Sequence, residues 1–344
     1  MNSLFFILKL YRSKNVGNVS FKYLIAKYGN AENALNNLEN NLEYTKIKIA
    51  QDDVINEEIE KTYAIGANFL TYNDFPKNLY FYYDFPPVII YQGDISLLNT
   101  KILGVVGSRN PTVNGIRFTK EIVLYMENYT IISGFARGID QTAHEYAKKT
   151  IAVFAGGIDQ IYPPNSIFLY EKIKKDGLII TDMPIGTQVT SYLFAKRNNI
   201  ISMIADQIVI TEASLKSGAL YTAKSAFLHK KPLFLVPGNP YDPNYAGNLK
   251  LLQEKKGEIL ISVDQLKDTS FHENNFQFKN HVIIDIDMNN KQKVLSSIGF
   301  SVTNVELIGE YTKISIGELL AIISELELEG KIKIINTYEI YRIK

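Results

Sequence analysis

Residues 101–140, KILGVVGSRNPTVNGIRFTKEIVLYMENYTIISGFARGID, decide the fold of this chain. A short apolar run ends in a glycine-rich polar loop, an amphipathic stretch follows, and a second apolar run ends in another such loop. Near-continuous Val/Ile runs separated by helix-length amphipathic segments are the pattern of parallel strands covered on both faces. The alternation continues through a helix containing His144, then IAVFAGG, LIITDMP, QIVITEA and PLFLVPG, and closes near EILIS at residues 258–262. The expectation is a Rossmann-like, doubly wound α/β domain of six or seven parallel strands.

Outward from this core, FLTYNDFPKNLY and FPPVIIYQGD carry short strands broken by prolines, so residues 71–267 read as a connector plus the α/β domain. Residues 1–70 read as a small helical domain of the SAM or helix-hairpin-helix type, with apolar positions at helical spacing from Leu4 to Leu10 and at Phe21, Leu24 and Ile25, punctuated by Gly17 and Gly29. Its segment KNVGNVSFKYLIAKYG either exposes amide groups to a phosphate or is a plain packing module. Residues 268–289 are polar and Asn-rich, the composition of a linker. Residues 290–344 read as a winged helix: a helix at KQKVLSSIG, a second opened by a capping box from Thr303 to Glu306, a third over ISIGELLAIISELELEG, and a closing hairpin. The third helix would normally enter a DNA groove, but here it carries Glu318, Glu325, Glu327 and Glu329 with no basic residue before Lys331. That face repels phosphates, so the domain reads as a protein-contact module or a cap.

A chain of 344 residues suggests two or three domains at about 150 residues each. With 46% hydrophobic and 21% charged residues it can bury a sizeable core. The net charge of +1 provides no general attraction to a polyanion, so nucleic-acid binding would depend on a few cations gathered by folding. The absence of cysteine excludes disulfides, thiolate metal sites and thiol nucleophiles. The apolar start MNSLFFILKL reads as a buried helix rather than a signal peptide, and no run reaches the roughly 18 apolar residues of a membrane span, so a cytoplasmic protein without a membrane partner is expected.

In an open parallel sheet, ligands bind beyond the carboxyl ends of the strands, so the loops after each apolar run are the informative ones. The first is Gly107-Ser108-Arg109-Asn110-Pro111 and the second is Gly134-Phe135-Ala136-Arg137-Gly138. Glycines let the backbone approach an anion, and the following helix N-terminus presents N–H groups to it. Two more loops add Lys196 and Arg197 in FAKRNNIIS, and Lys216-Ser217-Gly218 after QIVITEA. Arg109, Arg137, Arg197 and Lys216 are expected to converge on one edge as a short cationic track, with Phe194 or Phe135 as a stacking face. No catalytic residue, metal or cofactor is expected. The P-loop, G-x-G-x-x-G and G-x-S-x-G patterns are missing, and His144, His229, His272 and His281 have no ligand spacing. Asp140, Asp182 and Glu212 either meet at the strand ends or serve as caps and turn residues.

The ordered set GSRNP, SGFARGID followed by AH, GGID with YPPN, RNNII, EASLKSGALYTA and PGNP resembles the DprA (Smf) family over nearly the whole chain. The resemblance implies a non-enzymatic, Rossmann-like single-stranded DNA-binding protein that dimerises and helps load the RecA recombinase during natural transformation. It assigns backbone contact to Arg109, a shared groove to Phe194, Lys196, Arg197 and Asn198, and its completion to Lys216. It leaves Arg137, Gly107, Gly134 and Gly218 to shape the pocket. Two departures stand out: the family's RNR is Arg197-Asn198-Asn199 here, and the link from AHEYAKKT to IAVFAGG is shorter than usual. The rival reading is an enzyme of the lysine-decarboxylase-like type that cleaves nucleoside monophosphates. That type uses a P-G-G-x-G-T-x-x-E loop, where this chain has EASLKSGALYTA.

Overall fold

In the computed structural model, which describes residues 3–40, 47–76, 79, 82, 84–266, 288–298, 303–336 and 339–343, the amino-terminal segment folds into four helices. They are α1 (Ser3–Arg12), α2 (Asn18–Tyr28), α3 (Ala31–Asn40) and α4 (Asp52–Ala64). Leu4, Leu8, Leu10, Phe21, Leu24 and Ile25 are buried, as their helical spacing requires. A bidentate pair closes the module: Arg12 Nε and Nη2 donate to the Glu58 carboxylate at 3.0 and 2.8 Å. Lys22, within the segment read as a hairpin or a packing element, is buried and donates to the Tyr82 carbonyl. Burial lowers its pKa to about 7 against the opposing pull of Asp84.

The α/β unit comprises β1 (Asn68–Thr71), β2 (Val88–Gly93), β3 (Ile102–Val106), α5 (Val113–Tyr125), β4 (Thr130–Ser133), α6 (Ile139–Tyr146), β5 (Thr150–Val153), α7 (Ile167–Asp176), β6 (Leu178–Thr181), α8 (Ser191–Ile204), β7 (Gln207–Ile210), α9 (Ala219–Leu228), β8 (Leu233–Leu235), α10 (Ala246–Gln253) and β9 (Glu258–Ile259). The sheet runs β1-β2-β6-β5-β4-β3-β7-β8-β9. Strands β3 to β9 are parallel, while β2 pairs antiparallel with β6. The prolines of the connector thus lie between two strands that extend the sheet. Every residue of β3 to β8 is buried, the signature of a sheet covered on both faces. One face packs Leu103, Val105, Val209 and Phe234 on Ile122 and Val123 of α5; the other packs Phe154 and Ile179 on Tyr170 and Ile173 of α7.

The carboxyl-terminal segment has the order α11 (Met288–Ser297), β10 (Thr303–Asn304), α12 (Val305–Thr312), α13 (Ile316–Leu328), β11 (Ile332–Asn336) and β12 (Glu339–Arg342). The three strands form an antiparallel sheet, β10-β12-β11, and the whole is a winged helix. Thr303 lies in β10, ahead of α12. A cap forms one helix later, where Ser315 Oγ accepts from the Glu318 N–H at 3.3 Å. The acidic side chains of α13 are engaged: Glu325 and Glu329 pair with Lys291 of α11 at 3.0 and 2.5 Å, and Glu318 accepts from Asn290 at 2.7 Å. Glu325 also accepts from the Tyr23 hydroxyl at 3.2 Å, because α13 packs on α2. The helix that would read DNA in other winged helices is therefore committed to contacts within its own chain.

By contact density the chain divides into two units, residues 1–59, 80–88 and 277–344 in one and residues 60–79 and 89–276 in the other. The amino-terminal helices and the winged helix, read from sequence as separate domains, fall in the same unit. The expected linker, apart from residues 288 and 289, lies outside the described residues.

Candidate functional site

After β3 the chain moves outward through β4, β5 and β6, then crosses back to place β7 on the other side of β3. The loops following β3 and β7 therefore diverge at the switch point of the sheet, where a crevice opens for ligands. Loop β3–α5 is pinned by Thr112, whose Oγ1 accepts from the Gly115 N–H at 3.0 Å as the N-cap of α5. Thr112 N–H and Oγ1–H donate to the carboxylate of Glu212, at the end of β7, at 3.0 and 2.5 Å. Glu212 is fully buried, and Tyr245 bonds to it as well; burial and that bond push the Tyr245 hydroxyl up to about 12. This carboxylate staples two site loops together.

Loop β4–α6 is tied to the same place. Gly138 takes φ +82°, where a side chain would strike the Ser108 carbonyl, and that carbonyl accepts from the Ile139 N–H at 3.2 Å. Its charged anchor is Arg197 of α8, which is only 3% exposed. Arg197 Nη1 donates to the Gly134 carbonyl and to the Val153 carbonyl at 2.9 Å, and a side chain on Gly134 would fill the guanidinium's space. Burial lowers Arg197 to about 10, with the neighbouring Asp140 opposing, while burial raises Asp140. The structure thus places Arg197 beneath the groove as an internal strut, not on it as expected.

Three further placements differ from expectation. Lys196 pairs with buried Asp182 at 2.7 Å, so its charge is largely neutralised within the unit. Asn198 is buried and donates to the Gly218 carbonyl at 2.9 Å, fixing the loop after β7, and Asn199, where the family pattern has a cation, is buried too. Phe135 is a core residue, 5.0 Å from the Phe154 ring.

What remains at the surface is coherent. Arg109, Arg137 and Lys216 are exposed and follow β3, β4 and β7, three adjacent strands about 4.8 Å apart. None of the three makes an ion pair among the described residues. Ser108 and Ser217 are half-buried and orient their loops, Ser108 Oγ accepting from Asn110 N–H at 3.1 Å and Ser217 Oγ from Ala219 N–H at 3.3 Å. Phe194 is half-buried, with the Arg109 guanidinium 4.3 Å from its ring centroid. Tyr162, in the loop after β5, was not singled out from the sequence; the signal available was an aromatic residue before Pro163-Pro164 at a strand end.

His144 is fully buried, its Nδ1 2.6 Å from Thr150 Oγ1, and burial lowers its pKa to about 3. Because the unfolded chain takes up this proton near pH 6.5, stability present above that pH is lost as pH falls toward 3, by up to about 1.4 kcal/mol per unit. Urea midpoints measured between pH 7 and 4 are expected to show this slope, flattened in His144→Gln; a slope unchanged in the variant would assign it elsewhere. His272 and His281 lie outside the described residues. Among the described residues no three His, Asp or Glu side chains gather as metal ligands, and no helix is long and apolar enough to cross a membrane.

A glycine-shaped cationic edge on a Rossmann-like sheet, in a chain that also carries a small helical module and a winged helix, defines a class of multidomain α/β proteins. The chain belongs to the DNA recombination-mediator protein A family, which it matches over residues 68–270. Residues 2–60 match the DprA-like N-terminal HHH domain and residues 287–334 the DprA winged helix domain. It is 35% identical to Protein Smf of Synechocystis over 60% of this chain, and 35% identical to DNA processing protein DprA of Bacillus subtilis over 53%. These matches span 55% and 64% of the two relatives' lengths. Against Protein Smf of Escherichia coli it is 30% identical over 74% of this chain and 72% of the relative. Among solved structures, DprA of Streptococcus pneumoniae superposes with a TM-score of 0.62 at 25% identity, covering 75% of this chain and 99% of that one. DprA of Helicobacter pylori, whose structure concerns its single-stranded DNA binding mode, superposes at 0.55 and 27% identity, covering 58% and 93%.

Proposed function

We propose that the carboxyl edge of the sheet holds the sugar-phosphate backbone of single-stranded DNA without catalysing a reaction. Arg109, Arg137 and Lys216 supply the charge, and the loops at Gly107, Gly134, Gly138 and Gly218 supply backbone N–H groups. The observation that carries this reading is the placement of Arg109 and Lys216: both exposed, outside any ion pair among the described residues, on the two loops that part at the switch point. Arg197 and Asn198 act from below, and Lys196 contributes as a half-neutralised flank. The single-stranded DNA binding mode of the Helicobacter pylori relative and the DNA-processing names of the others support the same ligand. The finer parts of the proposal follow the family resemblance: protection of incoming strands, RecA loading in transformation, a homodimer and a cytoplasmic location. RecA loading is checked by adding the protein to RecA filament assembly on coated single strands, and the dimer by light scattering.

The direct test is a titration of an oligo-dT strand and of a duplex of equal length at several salt concentrations. Binding to the single strand is expected to be tighter, with a log–log salt slope near roughly −2, since two or three phosphates are neutralised at about 0.7 each. Equal affinity for the duplex, or affinity independent of salt, would overturn the proposal.

A further inference from the structure

Tyr162 lies in the loop after β5, two strands from β3 along the same edge. Its ring leaves 49% of the residue open to solvent, while its other side rests on Phe194, the centroids 5.9 Å apart and the planes inclined at 59°. Phe194 in turn carries the Arg109 guanidinium 4.3 Å from its centroid. A guanidinium, a half-buried ring and a half-exposed ring are therefore linked through Phe194.

Tyr170, on the helix that follows, is a core residue at 6% exposure. Tyr162 instead keeps an apolar surface in water at the end of a cationic row. The cost of that exposure is recovered when a flat apolar partner covers it, and an unpaired nucleobase next to a phosphate held at Arg109 has that shape. Phe194 braces the ring from behind, and Pro163 immediately follows it.

We propose that Tyr162 is a base-stacking platform that receives the nucleobase beside the phosphate bound at Arg109, with Phe194 as its backing. This rests on the single-stranded DNA reading above and adds to it a contact with the base itself. Every base offers a π-face, so the platform discriminates the presence of a base and not its identity. It also accounts for a preference for unpaired strands, because in a duplex both faces of each base are already stacked.

The test compares a short oligo-dT with an abasic deoxyribose-phosphate oligomer of the same length, binding the full-length chain. The wild type is expected to prefer oligo-dT by roughly tenfold. Tyr162→Ala is expected to lose most of that preference while holding the abasic oligomer as before, and Tyr162→Phe to retain it. Arg109→Ala is expected to weaken both. Equal binding of the two oligomers by the wild type overturns the platform and leaves the phosphate site standing, and this needs no variant to fold. Failure of the wild type to bind either oligomer overturns the phosphate site. Equal losses for both oligomers in Tyr162→Ala, at an unchanged melting temperature, would make the tyrosine structural and overturn the platform.

Discussion

Arg197→Met is expected to destabilise the α/β unit by roughly 3–5 kcal/mol, the cost of leaving two buried carbonyls without their charged donor at about 1–3 kcal/mol each. The guanidinium donates to the Gly134 and Val153 carbonyls and faces Asp140, so its loss strands two acceptors and a buried carboxyl together. For a unit of this size that corresponds to a fall of about 6–20 °C in Tm, readable by circular dichroism. Arg197→Lys is expected to recover little, since Nη1 alone reaches both carbonyls and the lysine ammonium ends one bond short of it. DNA binding at a temperature where the variant is folded is expected to persist. A variant that melts with the wild type and yet fails to bind would make Arg197 a direct DNA contact and invert its assignment.

Arg109→Ala is expected to reverse that pattern, with Tm within about 1 °C of the wild type, as is usual for exposed side chains. Affinity for oligo-dT is expected to fall by roughly ten- to a hundredfold at low salt, the range for a charge-assisted hydrogen bond to phosphate. The salt slope is expected to flatten by about 0.7, the signature of one phosphate fewer. Arg109→Lys keeps the charge but loses the planar guanidinium over the Phe194 ring, so an intermediate affinity with an unchanged slope is expected. An alanine variant that binds with the wild-type slope would remove Arg109 from the track.

Much of the fold was legible because burial on both faces forces near-continuous apolar strands, and β3 to β8 satisfy that pattern residue by residue. The winged helix was legible from its element order. The two connector strands were legible as short strands around prolines, but their place at the edge of the sheet was not, since no local pattern encodes the antiparallel pairing of β2 with β6. At the site, strand-end loops announced Arg109, Arg137 and Lys216, whose exposure is what an ordinary cation adopts. Arg197 escaped because a buried arginine looks like any other in a sequence. Its only mark was position, since Arg197, Ile201 and Ile204 recur at intervals of four and three along α8, the spacing of one helical face. Lys196 and Asp182 escaped for a different reason: their partnership joins residues on either side of a loop, and no local pattern encodes it.

The assignment of both chain ends to one unit makes the α/β unit an insertion within a second domain. When the inserted unit unfolds, its main segment, residues 89–276, stays tethered at both ends to a body that is still folded, so the disordered chain becomes a closed ring instead of a free tail. Ring closure removes conformational entropy from that disordered state, an effect on the order of a few kcal/mol for a segment this long. The winged helix thus lends stability to the sheet through the chain itself, by helping to hold the point to which the inserted segment returns.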